Sequence, residues 1–94
     1  MSMSEEAIIA RGRDAKQLME HPLLREAAET YEKQVIAAWI NAKTVADRES
    51  AHAEIQALRG VFLKLRTIMD RGVVSEHEAQ KAERLAAQRA PRKP

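Results

Sequence analysis

Apolar residues return at alternating steps of four and three through most of the middle of this chain, and that spacing leaves few folds open. Leu24, Ala28, Tyr31, Val35, Ala38, Ala42 and Val45 keep it; after a short polar break Ala51, Ile55, Leu58, Phe62, Leu65 and Met69 take it up again. Residues at such steps share one face of a 3.6-residue helix, and a seam held over several turns is the pattern of helices that pair side by side. The break around residues 43–47 is too short for anything but an antiparallel return. The expectation is an all-α protein built on a long antiparallel helical hairpin, coiled-coil-like, spanning Pro22 to Gly72.

Counting outward from a turn centred near Val45 and Ala46 gives a register. Ala42 meets Ala51, Ala38 meets Ile55, Val35 meets Leu58, and Tyr31 meets Phe62. Alanines then line the turn and large side chains the open end, so the helices should splay there and leave room for something else to pack. Thr44 and Asp47 both suit the cap of the returning helix, with Glu49 in its first turn. Gly72 suits the left-handed position that closes it.

The flanks read less strongly. Ser4 followed by Glu5 and Glu6 starts a short N-terminal helix running to Glu20, and Pro22 ends it and opens the next helix, which is expected to reach about Lys43. Gly12 inside the first helix costs about 1 kcal/mol against Ala; it marks either a close approach of two helices or a weak, frayed segment. Beyond Gly72, Val73 and Val74 read as an extended link, and Ser75 with Glu78 as a capping box for a polar C-terminal helix. The division expected is 1–74, a helical hairpin domain with its N-terminal helix, and 75–94, a polar helix with a basic tail.

A second apolar stripe breaks the pattern. Ile36 and Ile40 lie off the seam, one turn apart, with Trp39 between the two stripes. Such residues on a small protein call for a covering surface, either the first helix or a second copy of the chain. Composition favours the second copy. The 94 residues contain no Cys and only 3% aromatics, so disulfides, thiolate metal sites and a large core are all unavailable, and oligomerisation is the usual remaining device. The chain is therefore expected to be a homo-oligomer, with Ile36, Trp39 and Ile40 as its protein interface.

Chemistry finds little to hold. Glu49 and His52 make a Glu-x-x-His step like that of dimetal carboxylate bundles, but the register sets only Asn41 to Thr44 opposite, none of them acidic. His21 and His77 have no ligand spacing, and Gly12, Gly60 and Gly72 stand alone rather than in a phosphate loop. No catalytic residues, metal or cofactor are expected. Arg48, His52, Arg59 and Arg66 fall on one side of the third helix, and Arg84, Arg89, Arg92 and Lys93 crowd the last eleven residues. Arginines at helical spacing can track phosphates, although Glu32 is expected to pair with Arg59 and aromatics for base stacking are missing. Nucleic-acid contact through Arg48, Arg59, Arg66, Arg89, Arg92 and Lys93 is thus the alternative function. The net charge of +2 does not by itself identify such a binder.

Leu23-Leu24, Trp39, Arg48-Glu49, Leu58, Leu65 and Gly72, at this hairpin spacing, resemble small helical proteins encoded among the structural genes of tailed bacteriophages and prophages. The likeness covers roughly Ala15 to Val74. It implies a phage or prophage origin and a binding role in particle assembly or host interaction, and it brings no catalytic residues with it. The leading expectation is a non-enzymatic protein–protein interaction module, a virion or assembly accessory that binds a phage structural or host protein. A small phage-encoded inhibitor of a host enzyme is a further alternative. No apolar run approaches the roughly 18 residues of a membrane span, and Met1 to Ala10 lacks the pattern of a signal peptide. The expected location is the host cytoplasm, or the virion assembled in it.

Overall fold

The computed structural model describes residues 3–89, which are all-helical apart from the caps and one turn. Helix α1 spans Glu5–Glu20, α2 spans Pro22–Ile40 and α3 spans Val45–Arg89. Each boundary has a local cause. The Ser4 hydroxyl accepts the Ala7 N–H at 3.2 Å, and Glu5 and Glu6 sit at the positive end of α1. His21 stands in extended backbone because Pro22 follows it, and its Nδ1 accepts the Leu23 N–H at 3.1 Å to cap α2. Asn41 ends α2 by donating its side-chain amide to the Ala37 carbonyl, three residues short of the expected Lys43. Thr44 caps α3 through the Asp47 N–H at 3.1 Å, while Asp47 lies in the first turn.

The two shorter helices follow one another along the long one. Near the turn, Ala38 of α2 and Ala42 just beyond its end face Asp47, Ser50 and Ala51 of α3; farther out, Arg25 and Ala28 face Leu58, Phe62 and Met69. Helix α1 carries on in the same direction, with Ala15 and Leu18 beside Leu65 and Ile68, Gly12 on Gly72, and Arg13 ion-paired to Glu76. Both therefore run antiparallel to α3, and they touch each other only around the Pro22 joint. The result measures 81 × 27 × 20 Å with a radius of gyration of 21.2 Å, against about 12 Å for a compact chain of this length.

Four expectations are corrected here. Helix α3 runs straight through Gly72, Val73, Val74 and Ser75, so Gly72 is no helix end, there is no extended link, and the polar C-terminal helix is the last part of α3. Among the described residues no glycine has positive φ; Gly72 is needed for a helix contact, not for a left-handed cap. The N-terminal helix does not fold over the Ile36 stripe but extends the first arm along α3. Tyr31 does not pack inward on Phe62: it is exposed and its hydroxyl donates to Glu54 at 3.2 Å, eight positions closer to the turn. Val45 leaves the seam altogether, since α3 begins there and its side chain faces out.

The core is small. Val35, Ala51 and Ile55 form one buried cluster, and Ala15 lies buried with Gly12 and Gly72 at the second contact. Among the described residues no large side chain is completely enclosed. A layer one pair of helices thick gives each residue a neighbour on one side only, which is the reason.

Candidate interaction surface

The stripe on α2 is uncovered. Ile36, Trp39 and Ile40 are 38, 50 and 69% exposed, and Val45 opens α3 just across the turn. Its side of the molecule is fixed by an ion pair. Arg59 of α3 reaches Glu32 of α2 at 3.7 Å, the pairing expected from the sequence. Trp39 lies seven residues beyond Glu32, two turns along the same line, and Arg48 lies eleven before Arg59, three turns along its own. Trp39 and Arg48 therefore flank the same side of the α2–α3 pair. Leu63, four residues after Arg59, adds a further exposed apolar side chain to that flank.

At the Pro22 joint the three helices leave an open groove of about 580 Å³. Met19, Ala28, Leu58, Phe62 and Met69 form its floor, with Arg25, Arg59, Glu29 and Glu32 on the rim. The place of large side chains such as Leu58, Phe62 and Met69 at the end far from the turn was legible in the seam. The contribution of Met19 was not, because nothing in the spacing says that α1 ends beside Phe62.

Arg48, Arg59 and Arg66 are exposed on one arc of α3; Arg89 is exposed too, but well round the helix from that arc. Arg59 is engaged by Glu32, so the row is partly neutralised. Arg92 and Lys93 lie outside the described residues. Glu49 and His52 are both exposed, and among the described residues no group of three or more His, Asp or Glu side chains is placed to hold a metal ion. Among the described residues one titratable group is clearly shifted: the hydrogen bond from Tyr31 to Glu54 raises the phenol pKa above 10.0, helped by partial desolvation and the carboxylate charge.

No helix among the described residues is long and apolar enough to cross a membrane. Comparison of the chain with protein-family models, with curated proteins and with solved structures gives no match.

Proposed function

We propose that this chain is a non-catalytic protein–protein interaction module that works as a homo-oligomer, an elongated antiparallel hairpin of coiled-coil type whose α2 stripe is the contact surface. The observation that carries this reading is Ile36, Trp39 and Ile40 standing exposed, Ile36 and Ile40 turned away from the seam and Trp39 on its edge. Large aromatic and aliphatic side chains grouped in this way are what stable interfaces are centred on. The resemblance to phage structural-gene products supplies the setting, particle assembly or contact with a host protein. Light scattering across a gel-filtration peak tests it: a dimer or larger species is expected at micromolar concentration, and a monomer at every concentration removes the self-association.

One observation favours a second reading, contact with nucleic acid. Because α3 is unbroken, the arc that carries Arg48, Arg59 and Arg66 continues through His77 to Arg84, since steps of seven and eleven residues stay nearly in line. Fluorescence anisotropy with a labelled duplex, repeated across salt concentrations, checks this. A phosphate-tracking row of three or four contacts gives a log–log slope near −3 to −4, and a flat response excludes it.

A further inference from the structure

We infer that the uncovered stretch of α3, residues 80–89, seats in the major groove of duplex DNA through the face that carries Gln80, Lys81, Arg84 and Gln88. This rests on the nucleic-acid reading above and adds to it the element that docks and the form of nucleic acid it takes.

Charge points to this stretch. Residues 80–94 hold five Lys and Arg against one Glu, a net +4, whereas residues 1–79 hold eleven against thirteen, a net −2. The part of the chain that attracts a polyanion is therefore the part beyond the helix pairs. The charge is also sorted round the helix. Gln80, Arg84 and Gln88 follow at steps of four with Lys81 beside them, and all four are exposed. Glu78 and Glu83 lie roughly 100–120° round from Arg84, and Glu76 is held by Arg13 of α1. The face is thus free of acids, and Gln, Lys and Arg are side chains that bond base edges and phosphates.

Shape selects the duplex. Gly12 on Gly72 sets Glu5, the first residue of α1, opposite Ala79, the last half-buried residue of α3. Every residue from 80 to 89 is exposed, so among the described residues α3 runs on as a lone helix for about 15 Å. A lone helix is about 10–12 Å across with its side chains, and the major groove is about 12 Å wide. The molecule is 27 × 20 Å across its long axis, so the paired helices are too broad to enter. Arg48, Arg59 and Arg66 belong to that paired part, and Arg59 is held by Glu32. A helix lying in a membrane surface needs a bulky apolar face, and between residues 80 and 89 Leu85 is the one bulky apolar side chain.

Fluorescence anisotropy of a labelled 20-base-pair duplex tests the seating with full-length chains at low salt, and circular dichroism shows that each variant keeps its helices. Lys81→Gln and Arg84→Gln are each expected to weaken binding about five- to tenfold and to flatten the log–log salt slope by about one. Arg48→Gln and Arg66→Gln are expected to change affinity less than about twofold. The chain should be displaced by methyl green, which occupies the major groove, and not by netropsin, which occupies the minor groove. A wild type that does not bind the duplex overturns this inference together with the nucleic-acid reading. Binding that falls with Arg48→Gln and Arg66→Gln but not with Lys81→Gln or Arg84→Gln overturns the seat alone and leaves the row of α3. Displacement by netropsin, or equal affinity for a single strand, overturns the major groove. Equal affinity for phosphatidylglycerol vesicles overturns DNA as the partner.

Discussion

A Cβ placed on Gly12 would lie 2.7 Å from the Gly72 Cα, and one placed on Gly72 would lie 2.8 Å from the Gly12 Cα. The two glycines are thus the point at which α1 and α3 touch backbone to backbone. No side chain can rotate away to relieve such an overlap, because the atoms in the way belong to the main chain. The contact lets the short α1 approach closely enough for Ala15 to be buried.

Gly12→Ala and Gly72→Ala should each lower stability by about 1–3 kcal/mol through overpacking, although alanine is the better helix former. Gly60 is the control. A Cβ there meets nothing within 4 Å, so Gly60→Ala should raise stability by about 1 kcal/mol. Urea unfolding followed by circular dichroism compares the three, and equal shifts of one sign would contradict the contact.

Ile55 is enclosed with Val35 and Ala51, whereas Leu58 and Phe62 are half-buried and line the groove. Ile55→Ala should therefore cost about 2–4 kcal/mol by leaving a cavity. Phe62→Ala should cost less than its size suggests, because the groove is already open. The same unfolding measurement ranks them, and a larger loss at Phe62 would place the core at the joint instead.

The tyrosine titration should be displaced upward. The raised pKa of Tyr31 means that the folded chain favours the protonated phenol, so the Tyr31–Glu54 contact contributes below pH 10.0 and is lost as pH climbs through the higher folded-state value. Ultraviolet titration at the phenolate band should give a midpoint above 10.0 for the chain's one tyrosine. Glu54→Gln should bring it down; an unchanged midpoint would show that the carboxylate is not the cause.

Truncation separates the two parts of α3 beyond Gly72. Residues 80–89 are exposed along their whole length, so a chain ending at Ala82 should unfold much as the full one does. A chain ending at Val74 loses Glu76, the partner of Arg13, and the half-buried Ser75 and Ala79. In that chain α1 should become protease-sensitive while α2 and the first half of α3 stay protected.

Local chemistry was legible in the sequence. Ser4, Pro22 and Thr44 set helix starts through a hydroxyl or a fixed φ, and such signals act within four residues. The four-and-three spacing likewise gave the inward faces of α2 and α3, and with them the Glu32–Arg59 pair, because period and turn length suffice for that. Gly72 shows the limit. A glycine after a long apolar seam reads as a helix end, and Ser75 with Glu78 reads as a new start, yet α3 passes through both. What overrides those signals is Gly12, sixty residues away in sequence, whose backbone needs the missing side chain. Which stripe stays uncovered was also a tertiary matter. Ile36, Trp39 and Ile40 announce a contact by being apolar, but only the placement of α1 along the far half of α3 leaves that contact outside the chain. Pairing of distant backbones decides this, and no residue's own propensity records it.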